Sequence, residues 1–207
     1  VKDGSQSYID AIIKKTKLKY FINHPIQSID RDENGVTIYS SNGPAKFDAV
    51  VIATHADQAL KMLKKPTNLE SELLGKWQYS KNPTRLHTDT SIMPPKRSAW
   101  SSWIYSKKDD DVMTASYYMN RLQSLPNTND YFVTLNDTHH INESKTIYQT
   151  VYEHPMMTLD SMRTQKELHQ LQGIQHTFYC GSYFGFGFHE DGFKSAVTVG
   201  ELLNCQF

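Results

Sequence analysis

Residues 178–203 read Phe-Tyr-Cys-Gly-Ser-Tyr-Phe-Gly-Phe-Gly-Phe-His-Glu-Asp-Gly-Phe-Lys-Ser-Ala-Val-Thr-Val-Gly-Glu-Leu-Leu. Five of the ten glycines fall in this stretch: Gly181, Gly185, Gly187, Gly192 and Gly200. The pattern predicts a short buried strand, a glycine-rich turn and a helix beginning near Asp191. Such a turn presents backbone N–H groups at a helix N-terminus, which suits an anion or a cofactor. Dinucleotide-binding folds place their glycine fingerprint at the front of the chain. Here the glycines stand at the end.

Working back from this stretch, Phe47-Asp48-Ala49-Val50-Val51-Ile52-Ala53-Thr54 is a continuous apolar run. Runs of this kind suit a parallel strand buried on both faces. A helix is expected over 56–64, stopped near Pro66. Upstream, Tyr8, Ile9, Ile12 and Ile13 recur at helical spacing behind Gly4-Ser5, so 6–16 is expected to be an amphipathic helix. Lys14, Lys15, Lys17 and Lys19 then read as its solvated end. Asn34-Gly35 is a hairpin turn signal ahead of Val36-Thr37-Ile38-Tyr39. From about residue 75 the pattern changes. Trp77–Thr90, Ala99–Tyr105, Met113–Met119, Tyr131–Leu135 and Thr146–Tyr152 look like strands joined by polar turns, an antiparallel sheet. Helical pattern returns briefly near residue 161.

Composition excludes some functions. The chain has 207 residues with 22 basic and 22 acidic side chains, and this balance argues against a nucleic-acid surface. The two cysteines, Cys180 and Cys205, form neither a disulfide framework nor a zinc motif; Cys180 is expected to be an inert core thiol. No apolar run of transmembrane length exists, and Val-Lys-Asp-Gly-Ser-Gln at the start is no signal peptide. A cytoplasmic protein is therefore expected. His139-His140 would point apart and lack a third ligand, so no metal is expected. His87 and Asp89 would share a strand face, but without a nucleophile a structural role is expected. Trp100 and Trp103, and the aromatic run at 183–188, are either core or cavity wall.

Four segments resemble the C-terminal part of flavin-containing amine-oxidase-like proteins. They are Asp3-Gly4-Ser5-Gln6-Ser7-Tyr8, similar to a "GG-S-x-x-y" helix entry, and Pro25-Ile26-Gln27-Ser28-Ile29, similar to a "V-x-x-I" strand. The others are Asp48–Thr54, similar to "D-x-V-I-x-A-t", and the closing stretch, similar to "G-x-x-x-G-a-x-x-S-G". Leu86-His87-Thr88-Asp89, Tyr118-Met119-Asn120-Arg121, Val133-Thr134-Leu135-Asn136 and Tyr152-Glu153-His154-Pro155 narrow the resemblance to a bacterial subfamily of predicted NAD/FAD-binding proteins. Members of that subfamily are sometimes encoded beside cyclopropane-fatty-acid synthases.

The resemblance implies an α/β fold. A partial FAD-binding, Rossmann-like (glutathione-reductase-type) domain at 1–65 and 161–207 would be interrupted by a mainly antiparallel substrate domain at 66–160. It implies FAD, a small-molecule substrate of possible lipid-like character, and hydride transfer from a substrate C–H to flavin. Ile26 would support the adenine, and Ala53 with Thr54 would line the adenosine side; ordinary strand packing asks for the same residues. Gly181 and Ser182 would approach the ribityl–pyrophosphate, or simply end a strand. Backbone N–H groups of Glu190, Asp191 and Gly192 would meet the flavin pyrimidine oxygen, while the acidic side chains cap the helix. His189 is the candidate substrate-side residue; the alternative is a surface histidine. Three departures stand out: Asp3 for glycine, Ser182 for an acidic residue, and Ala196 for glycine. The strand with G-x-G-x-x-G is expected to belong to a missing N-terminal half, so self-association or pairing with that half is a second expectation. The chain alone would then be a catalytically silent fragment or a subunit of a split assembly.

Overall fold

The computed structural model describes residues 4–16, 18–107, 113–126, 129–137 and 141–205. Asp3 and the pair His139-His140 lie outside the described residues. The chain begins with α1 (Gln6–Lys15), followed by β1 (Ile26–Asp32), β2 (Gly35–Ser40) and β3 (Gly43–Phe47), which form an antiparallel three-stranded sheet. The hairpin read from Asn34-Gly35 is present, one residue early. Glu33 and Asn34 make the turn, and Gly35 pairs with Asp32 as the first residue of β2. Only glycine suits this point: φ is +136°, and a Cβ would lie 2.5 Å from the Phe47 carbonyl oxygen.

The apolar run becomes β4 (Val50–Ile52), followed by α2 (Ala56–Met62) and α3 (Asn68–Leu74). The pattern reading stopped at Pro66 and left α3 out. Its start is set by a capping box, in which Thr67 Oγ1 accepts from the Glu70 N–H and Glu70 accepts from the Thr67 N–H.

Residues 79–155 build the antiparallel sheet. Its strands are β5 (Tyr79–His87), β6 (Trp103–Lys107), β7 (Met113–Tyr118), β8 (Phe132–Leu135) and β9 (Thr146–Pro155), with α4 (Met119–Gln123) between β7 and β8. The spatial order is β6-β7-β8-β5-β9. The expected strand over Ala99–Tyr105 starts later, at Trp103, because 97–99 form a 3₁₀ turn. The buried residues of this sheet include Thr84, Thr114, Ser116 and Thr134. Their hydroxyls are satisfied internally: Thr114 donates to the Asn136 carbonyl at 2.7 Å, and Ser116 pairs with Thr134 at 2.9 Å. Trp100, Tyr118 and Phe132 pack edge and face, so Trp100 is a half-buried packing residue, whereas Trp103 is exposed.

The chain then forms α5 (Leu159–Gln165), β10 (Thr177–Tyr179) and α6 (His189–Leu202). β10 pairs in parallel with β4, Phe178 opposite Val51. One apolar core joins these distant segments: Ile29, Val36, Ile52, Ala59, Leu63 and Leu74 pack with Leu168, Leu171, Tyr179 and Tyr183. Beneath it lies an ion pair. Arg31 meets Glu70 through both guanidinium nitrogens, and both side chains are buried. Tyr179 donates to the same carboxylate at 2.6 Å, and Arg31 also donates to Thr177 Oγ1 and to the Lys65 carbonyl. Burial would raise the Glu70 carboxyl, but hydrogen bonds from Arg31, Tyr179 and the Thr67 N–H outweigh it and hold the group below the usual range. The network ties β1, α3 and β10 together across more than a hundred residues of sequence.

α1 is the exception to this packing. It is amphipathic as expected, yet none of its residues is buried, and Tyr8, Ile9, Ile12 and Ile13 face outward.

Removing one partner from a buried ion pair strands the other charge. Glu70→Ala is expected to lower the unfolding free energy by about 3 kcal/mol, read by urea denaturation of the chain. A change within the scatter of surface substitutions would show that the network carries no such weight.

Candidate functional site

The carboxyl ends of parallel strands are where open α/β sheets take ligands. β4 and β10 end together, at Ile52 and Tyr179. Beyond them lie Ala53, Thr54, Gly181 and Ser182, four of the residues singled out in the sequence. Ala53 and Thr54 line a cavity of about 550 Å³ with Ile26, Val51, Gln58 and Met62. The three residues expected on the adenosine side thus share one apolar cavity.

Gly181 joins this cavity to the helix start. A Cβ on Gly181 would sit 2.6 Å from the Tyr183 ring and 3.5 Å from the Thr54 carbonyl oxygen. A side chain here would collide with the Tyr183 ring, so the position takes a residue without bulk. Gly192 lies against the same loop, with a Cβ there reaching the Ser182 nitrogen at 3.6 Å. Ser195 holds the arrangement. Its Oγ accepts from the Gly181 N–H at 2.9 Å and donates to the Gly192 carbonyl at 2.7 Å. The sequence reading gave Ser195 no role. Its signal was the i, i+3 spacing from Gly192, which puts both on one helix face.

The helix starts two residues earlier than expected, at His189 rather than Asp191. Asp191 therefore sits in the first turn, and its carboxylate accepts from the N–H groups of Phe186 and Phe188 at 3.0 and 2.9 Å. It caps the helix by reaching back, as the third residue of a capping box does. Gly185 makes room for it, since a Cβ there would lie 2.3 Å from the carboxyl carbon. Backbone roles shift accordingly. The N–H groups of Asp191 and Gly192 already donate to the Phe188 carbonyl at 3.1 and 3.2 Å. Among the described residues, the N–H groups of His189 and Glu190 meet no acceptor, so these two are the open donors at this helix end. The Glu190 side chain turns outward to Lys194 at 3.6 Å, and both are exposed. His189 is exposed at the mouth of the helix and is not brought against Gly181, Ser182 or the cavity.

His87 and Asp89 do not form a catalytic pair. Asp89 lies past the end of β5, so the two do not share a strand face as expected. His87 Nδ1 accepts from the Asp89 backbone N–H at 3.1 Å, which puts the ring proton on Nε2, bonded to Thr134 at 2.8 Å. The Asp89 carboxylate turns to Asn142, Ser91 and Lys145 instead. Burial pushes the His87 imidazole down to about 4, against the pull of Asp89 and Asp137. Cys180 is buried and its thiol is raised by burial, as expected of a core residue. Among the described residues no group of three His, Cys, Asp or Glu could hold a metal ion, and no helix is long and apolar enough to cross a membrane.

Two predictions follow from these contacts. Asp191→Ala releases the 186–188 loop and should cost about 1 kcal/mol, the usual worth of such a cap, with faster proteolysis within that loop. Unchanged stability and cleavage would refute the capping role. His87 governs a separate pH window. Its folded pKa is lowered, so the unfolded chain binds the extra proton between about pH 6.5 and 4. Stability should therefore fall by on the order of 3 kcal/mol as pH drops through this window, and His87→Gln should flatten that slope. A slope unaltered by His87→Gln would exclude His87 as its source.

Comparison with known proteins bears on the fold. Residues 1–100 match the model of the flavin containing amine oxidoreductase family. No curated protein matches the chain. Solved structures share its fold at low identity. A CLA-producing fatty acid isomerase from P. acnes has a TM-score of 0.68 at 15% identity, over 96% of this chain and 52% of its own. Cyclohexylamine oxidase from Brevibacterium oxydans IH-35A has a TM-score of 0.65 at 12% identity, over 96% of this chain and 52% of its own. Reduced UDP-galactopyranose mutase has a TM-score of 0.64 at 14% identity, over 94% and 50%. The chain spans about half the length of these proteins. Residues 1–100 thus match the flavin containing amine oxidoreductase family, in keeping with the resemblance carried by the sequence, and nearly the whole chain shares its fold with solved structures about twice its length.

Proposed function

We propose that the chain supplies the flavin-facing part of an FAD-dependent oxidoreductase. The observation that carries this reading is the meeting of Thr54, Gly181, Ser182 and Gly192 past the ends of β4 and β10, on the chain that leads into the α6 start with its open His189 and Glu190 N–H groups. The residues fit the group. Gly181 and Gly192 leave the room that a Cβ would fill, and the helix end offers two donors with the positive end of its dipole. The apolar cavity of Ile26, Ala53 and Thr54 suits the adenosine end. FAD, when bound, supplies the redox chemistry, taking a hydride equivalent from a substrate C–H. The chain's own groups then have three tasks: Gly181 and Ser182 admit the phosphate and ribityl region, Ile26, Ala53 and Thr54 hold the adenosine, and the His189 and Glu190 N–H groups stabilise negative charge on the ring. His189 stands at the mouth as the candidate substrate-side residue. In this reading 1–65 and 161–207 form the cofactor domain, and 66–160 the substrate domain. The substrate is a small molecule of lipid-like character, in keeping with exposed Phe186, Phe188 and Met157 beside the helix start. Free thiols at Cys180 and Cys205 suit a cytoplasmic setting.

A second reading, that the chain is silent without a complementary half, draws on two observations. β4 has β10 on one side and, among the described residues, no strand on the other. Val51 and the apolar face of α1 are exposed. Open parallel strands and uncovered apolar faces favour association.

Titration of the purified chain with FAD, followed by flavin fluorescence and absorbance, separates the two. A saturating, one-to-one change that Gly181→Val abolishes supports binding by the chain itself. Binding that emerges only when an N-terminal half carrying G-x-G-x-x-G is added supports the second reading. No binding in either case would refute the flavin assignment.

A further inference from the structure

His55 stands three residues beyond the end of β4, directly after Thr54, whose hydroxyl donates to the His55 carbonyl at 3.2 Å. Its ring stacks on Tyr79, with centroids 4.0 Å apart and planes within 9°. Tyr79 is itself fixed: its hydroxyl accepts from the Ala56 N–H at 2.9 Å, and burial pushes the phenol up to about 12, so it stays neutral. The His55 ring therefore has its plane set by a rigid neighbour.

Its nitrogens are unequal. Nδ1 is buried and has no hydrogen-bond partner. The carboxylate facing it is Glu153 of β9, with Oε2 at 3.7 Å. That distance lies just beyond a hydrogen bond, and a small rotation closes it; such contacts are often long before a ligand is bound. Closing it fixes the ring proton on Nδ1 and leaves Nε2 as a free base. Glu153 belongs to the five-stranded sheet and His55 to the β4–α2 connection, so the pair bridges the two parts of the fold. Both side chains are about one-third exposed, at 33% and 35%, so the site is open to a ligand. The other charged group at this place is Asp57 of α2, whose field reaches Tyr79.

We propose that His55 is a proton-handling residue for the ligand bound at the carboxyl ends of β4 and β10, with Glu153 and Tyr79 as its positioning residues. The ligand class is one that carries a titratable N–H or O–H. The proton passes from that group to Nε2, and the electron pair of the broken bond stays on the ligand. The flavoprotein reading says what else occupies this edge; the His55 geometry is independent of it.

The test uses the whole chain with ¹⁵N-labelled histidine. The neutral His55 ring is expected as the Nδ1–H tautomer, with Nε2 unprotonated. Glu153→Gln keeps an isosteric side chain that is about one-third exposed. It should shift the tautomer balance away from Nδ1–H, because the carboxylate that holds that proton is gone. Carbethoxylation of His55 by diethyl pyrocarbonate, mapped by mass spectrometry, should slow in parallel. An Nε2–H tautomer in the unmodified chain, or a tautomer and reaction rate untouched by Glu153→Gln, would overturn the proposal. Neither readout requires flavin, so failure to bind FAD would leave this result standing.

Discussion

The Arg31–Glu70–Tyr179 network is the constraint on which the rest of the structure depends. Glu70 accepts from a guanidinium, a phenol and a backbone N–H, and Arg31 also donates to Thr177 and the Lys65 carbonyl. Burying two charges is costly unless every lone pair and donor is matched. Here the matching partners come from β1, α3 and β10, so the cost is met only when all three are in place. That condition sets the position of β10 against β4. The position of β10 in turn places Gly181 and Ser182 beside Thr54.

The edge past β4 and β10 is then built by small residues and one hydroxyl. Gly181 leaves room beside the Tyr183 ring where the strand end turns, and Ser195 bonds to both Gly181 and Gly192. Asp191 is consumed in holding the loop, which is why the open donors are its two predecessors. The β10 edge away from β4 is closed by Gln172, whose side-chain amide bonds both the N–H and the carbonyl of Tyr179. Among the described residues no comparable cover lies over β4, and the apolar face of α1 is also exposed.

Much of this was legible because its causes are local. The apolar run at 47–54, the glycines at 181–192 and the alternation of the middle block each report backbone demands, and they marked β4, the helix start and the antiparallel strands. The Thr67-x-x-Glu70 cap was also visible in principle, and reading it would have found α3. Other features have no local trace. Nothing in the sequence pairs Arg31 with Glu70 or Tyr179, because residues so far apart meet only through the fold. His87 and Asp89 looked like partners by spacing, yet the end of β5 turned the carboxylate away. His55 carried no periodic signal, and its interest arises from Tyr79 and Glu153, which the fold brings from two strands.

The central claim is that FAD engages the edge formed by Thr54, Gly181, Ser182 and the start of α6. Amide hydrogen exchange, with and without FAD and with the complementary half present if binding needs it, tests this most directly. The account predicts slowed exchange in peptides covering 51–56 and 181–192, and little change in 113–118. Protection confined to other segments, with 181–192 exchanging at its ligand-free rate, would contradict it.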